Sequence, residues 1–310
     1  MNDTAFILTL AASVGAAVPI ALAALGELLS EKAGVLNLGV EGMMLIGAVT
    51  AFQVGDNSGN LWLAFVAGGL GGLVFSVIHA FLTVTLRANQ IVSGLALVIF
   101  GTGLSTFIGK SIEGIPLEPE FDKIAWGPLA DIPILGPILF DQDPVVYLTI
   151  AFAFAIAFYL NRTKNGLAVR SVGESPATAD SMGVPVSAYR YAHVLAGGFF
   201  AGLAGSYLVL ALVPSWSQAG TTAGTGWIAV ALVVFASWKP VAVLAGAFLF
   251  GFARRANFWL QSEGVDIPAE FLAMLPYVLT ILVLVIWGIR SSGHSGAPAA
   301  LGTPYVRDER

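Results

Sequence analysis

Apolar residues run in blocks along this chain, at about 5–26, 33–54, 61–86, 91–109, 144–161, 191–213, 226–237, 240–259 and 270–289. Strict apolar/polar alternation is absent and each block is near helix length. The pattern therefore predicts an all-α chain of about nine helical segments. Most blocks reach the roughly 20 residues a helix needs to cross a bilayer. The block at 226–237 falls short, and reads either as a half-length helix or as one continuing past its polar ends. Two connections are long, 110–143 and 162–190; the first is either a platform for an external partner or a plain connector. The tail 291–310 is rich in Ser, Gly, Ala and Pro, a composition that predicts disorder.

Composition turns this pattern into a membrane protein. The 310 residues are 57% hydrophobic and 11% charged, with mean hydropathy +0.84. A soluble domain carries about 25% charged residues, so too little charge is present to cover a water-facing surface. Residues 1–290 read as one polytopic membrane domain. A net charge of −5 with no basic stripe argues against nucleic-acid binding. The absence of cysteine removes disulfides, thiolate nucleophiles and most zinc sites. His79, His193 and His294 lie too far apart for a ligand motif, so no metal or catalytic residue is assigned.

Lysine and arginine orient the chain. With 162–190 and the tail in the cytoplasm, the inner side collects Lys32, Arg87, Arg162, Lys164, Arg170, Arg190, Lys239, Arg290, Arg307 and Arg310. The outer side holds Lys110 and Lys123, while Arg254 and Arg255 stand as exceptions near the outer end of their span. Ten against two predicts the N-terminus outside and the C-terminus inside, a parity that nine crossings satisfy.

Three segments carry polar residues in places that ask for a reason. Glu41 lies nine residues beyond Lys32, a rise of roughly 13 Å if helical, close to the midplane, where a carboxylate is costly. Gly34, Gly39 and Gly42 allow an unwound segment there, and transporters place solute sites at broken helices. Asn37 and Glu41 then line a solute path, or Glu41 is paired with a donor and ties two helices together. Glu27 and Glu31 are expected at the interface. In the run Arg87-Ala-Asn89-Gln90-Ile-Val-Ser93, Gln90 and Ser93 share a helix face and would join the path. Asn89 joins them or simply caps the helix. Trp227 follows a Gly/Thr run at 220–226 and is an interface anchor or a stacking partner for an aromatic solute.

The fourth segment is cytoplasmic. Gly173-Glu174-Ser-Pro176-Ala177-Thr-Ala179-Asp-Ser-Met182-Gly183 predicts a short helix, begun at Pro176 and stopped at Gly183. Small apolar residues on so short a piece suit a socket on another protein. This segment resembles the coupling loop of ABC-importer permeases, in which Glu-Ala-Ala, three residues and Gly stand where Ala177-Thr178-Ala179, Asp180-Ser181-Met182 and Gly183 stand here. With Gly166-Leu167, Arg170 and Gly173-Glu174, it is similar to the inner loop of the branched-chain amino acid, simple-sugar and nucleoside permease superfamily. The runs Glu31–Met43, Ala88–Ala96 and Gly226–Leu232 look like its nucleoside (purine) branch. The likeness covers about residues 5–290, although relatives of ribose type have Asp where Asn37 stands.

That resemblance implies a multi-pass subunit of the bacterial cytoplasmic membrane that imports purine nucleosides. Simple sugars or branched-chain amino acids are the alternative cargo for the same architecture. It implies no cofactor in this chain, with ATP and Mg on a partner ABC ATPase that grips Gly173, Glu174, Pro176, Ala177, Ala179, Met182 and Gly183. In agreement, no Gly-x-x-x-x-Gly-Lys-Ser/Thr loop occurs. An extracytoplasmic solute-binding protein and a second, different permease subunit complete the expected assembly. A stand-alone ion-coupled carrier would need several deeply placed ionisable residues, and only Glu41 is placed so.

Overall fold

A computed structural model describes residues 3–118, 121–217, 220–262 and 296–307, with single positions between 268 and 285. The helices are α1 (Asp3–Lys32), α2 (Val40–Ser58), α3 (Leu61–Ala80), α4 (Gln90–Gly109) and α5 (Pro144–Arg162). After them come α6 (Lys164–Glu174), α7 (Pro176–Ser181), α8 (Val186–Tyr207), α9 (Thr225–Phe235) and α10 (Pro240–Ser262). A two-residue pair of strands, β1 (Ile124–Ala125) and β2 (Asp141–Gln142), is antiparallel within the first long loop. The expected helix over 270–289 lies mostly outside the described residues.

Polar residues at the loop ends set where the helices begin. Asn60, Asn89, Asp143, Thr163 and Ser175 each accept from a backbone N–H of the following first turn, for α3, α4, α5, α6 and α7. Each removes one of the unpaired donors a helix start exposes. Six helical stretches, Ala5–Lys32, Leu61–Thr85, Gln90–Gly109, Pro144–Arg162, Val186–Leu212 and Pro240–Gln261, are long and apolar enough to cross a membrane; α9 is shorter. The chain is therefore an all-α, multi-pass membrane protein.

Helix α2 is the centre of the bundle. It buries thirteen of its nineteen residues and packs on α3, α4, α8 and α9, while α1 packs on α8, α9 and α10. Apolar surface gains little by leaving lipid for protein, so close backbone approach must hold such helices together. A Cβ on Gly47 would lie 2.5 Å from the Cα of Gly202, and one on Gly72 would lie 2.3 Å from the carbonyl of Gly198. The glycines of the third block thus seat α3 against α8 through backbone contact.

Two corrections concern the end of the molecule that carries α6 and α7. Glu27 and Glu31, expected at an interface, are each 1% exposed. Helix α1 runs on to Lys32, and the 33–39 turn and Trp238 cover its last turn: Glu27 accepts from the Asn37 N–H, and Glu31 from the Trp238 indole. The tail, expected to be disordered, packs over residues 296–307. Ala300 N–H donates to the Gly173 carbonyl at 2.9 Å, Ala299 N–H to Glu174, Lys32 Nζ to the Gly296 carbonyl, and Arg190 to the Thr303 carbonyl. Arg307 pairs with Asp180 at 3.3 Å. Composition gave the tail no helix, but its small residues fit against Gly173, where a Cβ would meet Pro298 at 3.1 Å.

Candidate functional site

The turn between α1 and α2 leaves regular helix from Ala33 to Gly39, so its backbone needs partners from elsewhere. Gly34 takes φ +84°, a conformation few other residues adopt. Ser30 Oγ donates to the Val35 carbonyl at 2.9 Å. The Leu36 N–H donates to Gln90 Oε1 at 2.7 Å, and the Leu36 carbonyl is 3.1 Å from His79 Nε2. His79 Nδ1 is in turn 3.0 Å from the Ser93 hydroxyl. With Nε2–H donating to Leu36, Nδ1 accepts from Ser93. The Asn37 amide oxygen accepts from Gly39 N–H, and its Nδ2 approaches Met43 sulfur.

Glu41 stands in the first turn of α2, not midway along a continuous helix. Its carboxylate, 7% exposed, reaches across to α9. Oε1 accepts from Thr222 Oγ1 at 2.6 Å and from Gly224 N–H at 3.0 Å, and Oε2 accepts from Gly226 N–H at 2.6 Å. These are the donors at the start of α9, a half-length helix whose own N-cap, Gly224, offers no side chain. A carboxylate there meets the positive end of the helix dipole as well as two orphan donors. Gly226 permits the approach, since a Cβ would lie 2.6 Å from Glu41 Oε2. The contact continues outward. Thr225 Oγ1 donates to the Thr222 carbonyl at 2.5 Å and accepts from Arg254 Nη1 at 2.9 Å.

Two non-helical stretches, one from each end of the bundle, therefore meet at Glu41. Of the six expected path residues, Asn37, Glu41, Gln90 and Ser93 are buried along this junction. Gln90 reaches the Leu36 N–H and Ser93 reaches His79, rather than the side chains of Asn37 and Glu41. Asn89 is exposed and caps α4, accepting from Val92 N–H at 3.0 Å. Trp227 is 39% exposed and stacks on no described ring. Sequence reasoning did not assign Thr222 and Thr225 to the site, nor the contact that the buried His79 makes with Leu36. The polar residues at 79, 90 and 93 were a usable signal, because three of them facing one short segment suggest a backbone in need of partners.

At the end of the molecule that carries α6 and α7, the coupling candidates divide by exposure. Glu174, Ala177, Met182 and Gly183 are exposed, Met182 by 80%, and Leu167 joins them at 59%. Pro176 sits in the first turn of α7, capped by Ser175. Gly173 and Ala179 are buried and hold the segment against α1, the tail and Val186 rather than presenting it.

Known proteins resemble this chain over nearly its whole length. A Haloferax volcanii protein provisionally named as a glucose ABC transporter permease is 42% identical, across 96% of this chain and 97% of its own. The guanosine ABC transporter permease protein NupQ of Bacillus subtilis is 40% identical, across 95% of each chain. The nucleoside ABC transporter permease protein NupC of Lactococcus lactis is 35% identical, across 94% of each. Residues 9–284 match the family described as branched-chain amino acid transport system / permease component. With a match of that extent, the chain belongs to this family of ABC transporter permeases.

Proposed function

We propose that the chain is a translocation subunit of an ATP-driven importer of purine nucleosides. The observation that carries the translocation reading is the junction at Glu41, where unwound backbone from both ends of the bundle meets a buried carboxylate and a half-helix. Irregular backbone at that depth suits a cavity-lining position. The cargo rests on the two relatives named for guanosine and nucleosides, together with the motifs around Asn37, Glu41, Asn89 and Trp227. The Haloferax relative favours a simple sugar as the second reading. Asn37, Glu41, Gln90 and Ser93 are assigned to the path, with Gln90 and Ser93 acting through the backbone they hold. Asn89 and Trp227 belong to it only where a second permease covers their exposed side.

In this reading the loop 110–143 faces outward, α6 and α7 face the cytoplasm, and the ATPase docks on Met182, Ala177 and Leu167. A solute-binding protein delivers cargo at the outer face, and a different permease completes the pair. Uptake of labelled guanosine tests the cargo, in cells carrying the full set of subunits with and without this chain. The expected result is uptake that adenosine and guanosine compete for and glucose and leucine do not. Competition by glucose alone would transfer the assignment to sugars.

The orientation has its own test, because no native cysteine competes for reagent. Single cysteines at Ser111 and Met182, both exposed, report the two faces. A membrane-impermeant maleimide is expected to label Ser111→Cys in intact cells and to spare Met182→Cys until the cells are opened. The reverse order would invert the topology.

A further inference from the structure

Helix α10 carries two adjacent arginines, Arg254 and Arg255, within a stretch apolar enough to cross a membrane. They lie 14 and 15 residues beyond Pro240, roughly 21–23 Å along the helix. Guanidinium groups at such a depth are expensive unless they are paired or face water. Arg254 is paired, through Thr225. Arg255 makes no hydrogen bond or ion pair with a described residue. Both line an open cavity of about 230 Å³, whose other walls come from Ala16, Leu208, Leu212, Val213, Gly220 and Thr221. None of the described lining residues is acidic. On the α8 side the helix has just widened into a π turn, Leu208–Leu212, before it ends at Val213, a distortion frequent at functional sites.

We propose that this cavity is the mouth of the solute path, and that Arg255 there receives the O6 and N7 acceptors of a 6-oxopurine nucleoside such as guanosine. The substrate class rests on the nucleoside reading given above; the cavity does not. A guanidinium is a rigid fork of donors that matches two coplanar acceptors, and the O6/N7 edge of guanine is the pair it fits best. Adenine offers an N6 donor beside N7, so the same fork meets one acceptor and one hydrogen. Sugar hydroxyls hold no fixed acceptor pair. The flat base would lie against the apolar wall of Leu208 and Leu212, the usual division between an apolar lining and a few placed polar groups. From this cavity a chain of contacts leads inward: Arg254 to Thr225, Thr225 to the Thr222 carbonyl, and Thr222 Oγ1 to Glu41. Solute arriving beside Arg255 thus sits one residue from the network that caps α9.

Two measurements on the assembled transporter test this. In the first, Val213→Cys, at an exposed cavity-lining position, is labelled from outside by an impermeant maleimide. Saturating guanosine should slow the labelling severalfold; a rate that neither guanosine nor glucose alters overturns the cavity as a solute site. In the second, uptake of guanosine is compared with that of adenosine in Arg255→Gln and Arg255→Lys. Both variants should lose about tenfold for guanosine relative to adenosine, the lysine variant despite its retained charge. Equal loss for both nucleosides, or none, overturns the assignment of Arg255. Slowing of Val213→Cys labelling by glucose alone would keep the cavity, reject the 6-oxopurine assignment and reject the nucleoside reading with it.

Discussion

Replacement of Glu41 by alanine is expected to abolish solute uptake and to lower the amount of folded transporter. The carboxylate is the acceptor for Thr222 Oγ1, Gly224 N–H and Gly226 N–H. Removing it leaves two buried donors, Thr222 Oγ1 and Gly226 N–H, and the half-buried Gly224 N–H unpaired, at about 1–3 kcal/mol for each buried donor, together with a lost charge at the start of α9. No water-facing rearrangement is open to a half-helix whose first residues, Thr225 and Gly226, are buried. Glu41→Gln separates the roles. It keeps the shape and one acceptor oxygen, but turns an amide NH₂ toward a backbone N–H. Assembly should survive in that variant while uptake falls at least tenfold. Native uptake by Glu41→Gln, measured against protein level in the membrane, would show that the junction is scaffolding only.

The second large effect is expected at Met182. Its side chain is 80% exposed beside a short helix whose buried face, Ala179 on Val172 and Val186, already fixes the segment. An exposed methionine there is available to a partner and contributes nothing to the fold of this chain. Met182→Asp places a charge in the proposed socket, where desolvation without a partner is costly. Uptake should fall at least tenfold with insertion, folding and partner-permease pairing intact, and solute should no longer stimulate ATP hydrolysis. Gly183 is the less clean site. Although no atom lies within 4 Å of a Cβ placed there, its φ of +82° strains any other residue. Normal coupling in Met182→Asp would remove α7 from the docking surface.

Periodicity made the spans legible because a bilayer demands long apolar runs, whereas the direction that the charge bias between loops predicts is left to the cysteine-labelling test. The cost of a carboxylate in lipid singled out Glu41, and the glycines around it announced unwound backbone. Its partners were another matter. Thr222, Gly224 and Gly226 lie 181, 183 and 185 residues away, and a Gly/Thr run reads as a loose connection unless the half-helix after it is known to need a cap. Glu27 and Glu31 were misplaced because sequence ends a span at its first acid, whereas the 33–39 turn, Trp238 and the tail bury that helix end. The tail itself has too few large residues to signal packing. Its order comes from Gly173, Arg190 and Asp180, which supply its contacts from outside. Arg254 and Arg255 were visible as exceptions to the charge bias, and the structure gives that exception a place: one holds Thr225, the other lines a cavity.

The most direct test of the account is solute accumulation in sealed vesicles containing this chain, its partner permease and the ATPase, with the binding protein supplied on the binding-protein side. With ATP enclosed on the ATPase side, labelled guanosine should accumulate above its outside concentration. Accumulation should require the binding protein and stop when a non-hydrolysable ATP analogue replaces ATP. Guanosine that only equilibrates, or that accumulates equally well without ATP, would contradict the account.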